Sequence, residues 1–223
     1  MLNKLFFIIL IFAYLFTLTP NAFAQEIEKD STLTSFRKGR WFTGLSGSIS
    51  SGTIENTTSG KKSSSNRYGI EISTGKFIKN RFLVGFLFSA HRDNFESDFV
   101  KTTESIFIGP QASYYFSKSR TGSIFFKLSP GFVIYRDQTS LLLEDTFTEL
   151  ISEGNGFGFL TTLGYSYVLH DRITFDLGLN LNVSWIRVEQ NSESIEGIND
   201  VNIVLSDLSF SFGFNVLLEE FFF

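Results

Sequence analysis

The sequence predicts an all-β fold, an eight-stranded antiparallel transmembrane β-barrel with short periplasmic turns and longer extracellular loops. Three observations point there: long stretches of strict period-two alternation, their number, and connections that alternate in length. "TFDLGLNLNVSW" (174–185) shows the pattern. Phe175, Leu177, Leu179, Leu181, Val183 and Trp185 share one face, and Thr174, Asp176, Gly178, Asn180, Asn182 and Ser184 share the other. Alternation of this length marks a strand lying between two different environments.

Taken in order, the chain opens with Lys4, the apolar run "LFFIILIFAYLFTL" (5–18) and Ala22-Phe23-Ala24, the pattern of a cleaved export signal. As a helix the run would rise only about 21 Å, short of a roughly 30 Å hydrocarbon core. Residues 1–24 are therefore expected to be a signal peptide, 25–40 a periplasmic N-terminal segment and 41–223 the barrel. The remaining alternating stretches are "WFTGLSGSI" (41–49), "RYGIEIST" (67–74), "RFLVGFLFSAH" (81–91), "IFIGPQASYYF" (106–116), "IFFKLSPGFVIY" (124–135), "FGFLTTLGYSY" (157–167) and "LSFSFGFNVLL" (208–218). With 174–185 they make eight candidate strands. Most are longer than the five or six residues usual in soluble proteins and near the roughly 9–11 that a tilted strand needs to cross a bilayer. Eight is also the smallest size of a closed membrane barrel.

Three connections are tight: 79–80, 117–122 and 170–171. Four are longer and polar: about 52–66, 93–104, 136–155 and 189–201. Short turns on one rim and long loops on the other place both chain ends on the periplasmic side.

The choice between a water-soluble ligand-binding barrel and a membrane barrel rests on the polar face. A water-facing strand surface normally carries Lys, Glu and Arg. Here that face is mostly Gly, Ser, Thr and Asn, with Gly44, Gly69, Gly75, Gly85, Gly109, Gly131, Gly158, Gly164, Gly178 and Gly213 all in its register. Small residues suit a crowded eight-stranded lumen. The charges inside strands, Glu71, Lys127 and Asp176, also lie in the polar register, whereas Lys76, Arg136 and Arg187 lie in the apolar register close to expected strand ends. Trp41, Tyr68, Tyr114, Tyr165, Tyr167 and Trp185 fall near strand ends, as interfacial aromatics do. The apolar face is expected to meet outer-membrane lipid.

The chain carries 19 Lys and Arg against 23 Asp and Glu, for a net charge of −4. That balance argues against nucleic acid as a partner. With no cysteine there is no disulfide framework and no thiolate chemistry.

Three stretches carry a family resemblance: "GKFIKNRFLVG" (75–85), "GPQASYYF" (109–116) and "LGYSYVLHDRITFDLGL" (163–179). They resemble the small eight-stranded outer-membrane β-barrel proteins, the OmpX-like or outer-membrane-protein β-barrel-domain group, over roughly 41–219. The resemblance implies residence in the outer membrane and assembly by the barrel-assembly machinery through the C-terminal strand. The chain ends "EEFFF", with Phe222 in the apolar register and Phe223 one beyond. The last strand is therefore expected either to stop at Leu218 or to run on to the terminus.

Glu71, Lys127 and Asp176 are expected to meet as a lumen charge network, because a buried charge is tolerated when paired. Ser89 and His91, with Asp93 or Glu96 nearby, run in the reverse order of the His-x-Ser arrangement that resemblance to outer-membrane lipid hydrolases implies. They also point into the lumen, so no catalytic site, cofactor or metal is expected. In 136–155, Leu143, Phe147, Leu150 and Ile151 form a possible loop contact surface, either a helical stripe or strands continuing as a hairpin. The expected function is non-enzymatic, envelope-structural or surface-binding through extracellular loops, with a largely packed lumen. The alternative is a conduit for small or apolar solutes lined in part by Leu83, Leu87, Phe107 and Leu160.

Overall fold

A computed structural model describes residues 34–55, 62–96, 100–143, 146–191 and 200–219. Eight strands follow one another: β1 (Trp41–Glu55), β2 (Lys62–Lys79), β3 (Phe82–Glu96), β4 (Val100–Tyr115), β5 (Gly122–Leu143), β6 (Thr146–Leu169), β7 (Ile173–Asn191) and β8 (Asp200–Leu218). Each pairs antiparallel with its sequence neighbour, and β1 pairs with β8 from Trp41↔Leu218 to Ile49↔Phe210, closing the barrel. The described residues contain no helix.

Alternation decides which face is which. Phe86 is 67% exposed while its neighbour Leu87 is 1% exposed. In the 174–185 stretch Leu177, Leu179, Leu181 and Trp185 point outward, and Thr174, Asn180 and Ser184 are buried inside. An outer surface of this kind, a continuous belt of Leu, Ile, Val and Phe, has no favourable contact with water and needs a hydrocarbon solvent. The expected interfacial aromatics all face outward, with Tyr68, Tyr165, Tyr167 and Trp185 about half exposed.

The inward glycines follow from the narrow bore. Gly75 faces Gly85, Gly131 faces Gly158, and Gly164 faces Gly178 across neighbouring strands. A Cβ on Gly85 would collide with the Thr74 carbonyl oxygen and lie 2.5 Å from Gly75 Cα, so the backbones meet where a side chain would sit. Two prolines interrupt the β4–β5 ladder, which breaks between Ile108↔Phe132 and Ala112↔Leu128. Neither Pro110 nor Pro130 has an N–H to give. The Ser129 hydroxyl instead donates to the Pro110 carbonyl at 2.7 Å.

Two sequence expectations are corrected. The tight turn between β2 and β3 is Asn80-Arg81, one residue on from 79–80, with Arg81 at φ 67°. More substantially, most of the expected long loops are strand. β1 runs to Glu55 and β2 starts at Lys62, while β5 and β6, 22 and 24 residues long, pair as far as Leu143↔Thr146. Beyond the apolar belt both faces of a strand carry polar residues, so no apolar period-two signal survives to be read. For 136–155 the hairpin is the form adopted, not the helix. Consequently Arg136 lies well inside β5, outside the belt but not at a strand end. The export signal and the last residues, Phe222 and Phe223, lie outside the described residues. β8 ends at Leu218.

Candidate functional site

The interior is built in layers by the inward register of all eight strands. At the periplasmic end Phe42, Phe77, Leu83, Tyr115, Phe125, Val168 and Leu217 form one buried apolar cluster, joined by Phe36 from the N-terminal segment. At the extracellular end Leu87, Phe107, Val133, Tyr135, Leu160, Ile186 and Val188 form a second. The four side chains expected to line a conduit are thus all interior, Leu83 in the lower cluster and Leu87, Phe107 and Leu160 in the upper, each 3% exposed or less.

Between the clusters lies a polar layer. Glu71 and Lys127, from β2 and β5, meet there as a buried ion pair, with side chains 8% and 12% exposed. Their cross-strand partners on both sides are small polar residues: Ser46 and Ser89 beside Glu71, Ser113 and Thr162 beside Lys127. That leaves room for the two long side chains to reach across the lumen. Asp176, the third expected member, lines the same cavity of about 20 Å³ but makes no direct ion pair among the described residues, and its buried Oδ1 has no hydrogen-bond partner among them. Gln111 lines that cavity as well, with both side-chain polar atoms unpartnered. A space of that size holds about one water molecule. Around it, Thr162 Oγ1 donates to Asn180 Oδ1 at 2.7 Å, Ser211 Oγ donates to the same oxygen at 3.2 Å, and Asn215 Nδ2 donates to Thr174 Oγ1 at 2.9 Å.

Above the upper cluster a cavity of about 220 Å³ is lined by Arg67, His91, Asp93, Lys101, Tyr135 and Asp207 among others. Its charges are already paired: Arg67 with Asp93 at 2.6 Å and Asp207 at 2.9 Å, and Lys101 with Asp137 at 2.8 Å. Ser89, fully buried, lies 3.2 Å from His91 Nδ1. Asp93, Lys101 and Asp137 of this group fall in 93–104 and 136–155, where the sequence predicts loops, and Arg67 and Asp207 stand at the very edge of their alternating stretches. Carrying the odd-numbered inward register of β2, β3, β4 and β5 outward would have placed Arg67, Asp93, Lys101 and Asp137 inside. Leu143, Phe147 and Leu150 have side chains outside the described residues, and only Ile151, half-buried on β6, is placed.

The periplasmic mouth holds the second feature not foreseen. Residues 34–40 fold back across it. Phe36 is fully buried, stacked on Tyr115 with ring centroids 4.0 Å apart and tilted against Phe77 at 6.0 Å. Backbone bonds fasten the segment to β2 and its turn: Gly39 N donates to Phe77 O at 2.8 Å, Phe77 N to Arg40 O at 2.9 Å, and Arg81 N to Phe36 O at 2.6 Å. Gly39 at φ 94° allows the reversal into β1. Arg37 pairs with Asp171 at 3.0 Å and with Glu219. Arg40, 1% exposed, pairs with Asp171 at 3.3 Å and Glu219 at 3.0 Å. His170 and Asp171 both take positive φ in the β6–β7 turn, a conformation tolerated better by Asp and His than by most residues. Burial works against the Asp171 carboxylate. Hydrogen bonding to Ser35 and Arg37 and the charges of Arg40 and Arg37 outweigh it and hold its pKa below the ordinary value. The sequence signal was "SFRKGR" (35–40), an aromatic among cations just ahead of the first strand.

A closed ring of eight antiparallel strands, apolar outside and small-polar inside, with short turns on the rim that holds both ends, defines the fold of the small outer-membrane β-barrel proteins. A solved structure shares this fold. The outer membrane protein OprG from Pseudomonas aeruginosa is similar at 12% identity with a TM-score of 0.50, over 83% of this chain and 99% of that one. Neisserial surface protein A is similar at 19% identity, over 80% of this chain and 97% of its own, with a TM-score of 0.44. The N-terminal β-barrel domain of Pseudomonas aeruginosa OprF is similar at 11% identity, over 81% and 98% respectively, with a TM-score of 0.37. No protein-family model matches the sequence, and no curated protein matches it.

Proposed function

We propose that this chain is a non-enzymatic outer-membrane barrel with a packed interior that serves the envelope structurally or binds at the cell surface through its extracellular ends. One observation carries the reading: two apolar clusters, one fed by Phe36, lie below and above the Glu71–Lys127 layer. Water and ions would have to part both to pass. The outward belt and the likeness to OprG support residence in the outer membrane, with bilayer lipid as the surrounding partner. Export through a signal peptide and assembly by the barrel-assembly machinery through β8 belong to the same proposal. The extracellular partner would meet the projecting β5–β6 hairpin, the longest pair in the barrel. A conduit for small solutes is the second reading, favoured by the 220 Å³ cavity, which would be its vestibule.

Conductance separates the two. The mature chain (25–223), refolded into a planar bilayer after a heat-dependent gel shift has established folding, is expected to be electrically silent. Discrete, reproducible steps would promote the conduit and overturn the packed interior.

A further inference from the structure

The chain is acidic overall, yet its periplasmic rim is basic. Among the described residues that rim carries two carboxylates, Asp171 and Glu219, and both are bound by Arg37 and Arg40 of the folded-back segment. Lys38, Lys76, Lys79, Arg120 and Arg172 are exposed around it, and Arg81 is half-buried. Each of the three periplasmic connections therefore carries a cation: Arg81 between β2 and β3, Arg120 between β4 and β5, and Arg172 between β6 and β7.

Two of these cations, Lys76 and Arg81, are placed sideways rather than downward. Lys76 Nζ lies 5.4 Å from the centre of the outward-facing Trp41 ring, and Arg81 Cζ lies 5.7 Å from that of Tyr114. Exposed apolar side chains of the belt flank them on both sides, Ile173 and Val216 on the membrane side of the Trp41–Lys76 pair and Ile78 and Phe116 toward the turns. A cation lying over an aromatic ring at the edge of a hydrocarbon-facing belt sits at headgroup depth. We infer that this rim binds the phosphate headgroups of anionic phospholipids in the periplasmic leaflet, and that residues 34–40 make it uniformly basic by neutralising Asp171 and Glu219. The inference rests on the membrane-barrel reading above. A periplasmic polyanion fits less well, because Lys76 and Arg81 flank the belt instead of facing the aqueous mouth.

The test refolds the mature chain into phosphatidylcholine vesicles containing a minor fraction of spin-labelled lipid. Wild type is expected to hold labelled phosphatidylglycerol at its surface about threefold or more over labelled phosphatidylcholine at low salt, falling towards equality at high salt. Lys76→Gln/Lys79→Gln/Arg172→Gln, in exposed positions, is expected to bring the ratio towards one. If that variant does not fold, the salt dependence of wild type decides alone. Inorganic phosphate at matched ionic strength should compete no better than chloride; specific displacement by phosphate would assign the rim to free phosphate and overturn the lipid proposal. Equal retention of the two lipids by folded wild type would also overturn it. A missing heat-shifted form in every lipid would instead bring down the membrane-barrel reading, and this inference with it.

Discussion

Gly85→Ala is expected to be among the most damaging single changes to this barrel, although it adds one methyl group. Its Cβ would enter the space held by the Thr74 carbonyl and lie 2.5 Å from Gly75 Cα, and backbone cannot step aside as a side-chain tip can. Gly75 and Gly85 face each other across β2 and β3, so the strands must separate, losing ladder hydrogen bonds, or the inward curvature must relax. Overpacking in a tight interior costs about 1–3 kcal/mol and more where the backbone itself is displaced. A loss of about 3 kcal/mol or more is expected, read as a lower urea midpoint or loss of the heat-shifted form. Gly47→Ala is the control. Gly47 faces outward, and its added Cβ would approach the Phe212 ring no closer than 3.3 Å, so its effect should stay within about 0.5 kcal/mol. Equal effects at the two positions would contradict the assignment of inward crowding.

Lys127→Met is the second large effect. Removing one partner of a buried ion pair leaves the other charged and desolvated, at a cost of about 3–5 kcal/mol, whereas replacing both by apolar residues of similar size is often close to neutral. Glu71 is 7% exposed and, once Lys127 is gone, is left among Ser46, Ser73 and Ser89. Asp176 lines the same cavity as Lys127 and would then face it without that cation. The single variant is therefore expected to fall by about 3–5 kcal/mol, and Glu71→Leu/Lys127→Met to recover most of the loss. Urea unfolding followed by the fluorescence of Trp41 and Trp185 reads both. Additive losses in the double variant would mean that the two charges do not act as a pair.

What could be read from the sequence, and what could not, follows from where each residue finds its solvent. Within the belt the two faces of a strand meet hydrocarbon and a crowded interior, and the alternation is strict. Leu179 and Asn180 could be assigned to opposite sides by inspection, as could Glu71 and Lys127 to the lumen. Past the belt the outward side of β5 and β6 turns polar like the inward one, with Arg136, Gln138 and Glu153, the contrast vanishes, and 136–155 carries no strand signal. Asp93, Lys101 and Asp137 are hidden for that reason, since their inward direction depends on strand continuity that the pattern no longer advertises, whereas Arg67 and Asp207 stand at the edges of legible stretches without any sign of a partner. That Glu71 and Lys127 touch while Asp176 stands apart depends on the stagger between strands, which no single strand encodes. The burial of Phe36 and Arg40 is a tertiary event of another kind. A short aperiodic segment is held by Tyr115, Asp171 and Glu219, which lie far along the chain, and only closure of the barrel brings them together.

The most direct test uses the absence of cysteine, which lets each position of β7 be probed by a single introduced thiol. Fluorophores attached one at a time to Cys substitutions at residues 177 to 182, in the chain refolded into vesicles, would be exposed to quenchers carried either on lipid tails or in water. Positions 177, 179 and 181 are expected to be quenched from the lipid, and positions 178, 180 and 182 to be protected from it. Lipid quenching at the even positions, or no alternation at all, would contradict a barrel that turns its apolar face to the bilayer and packs its polar face inside.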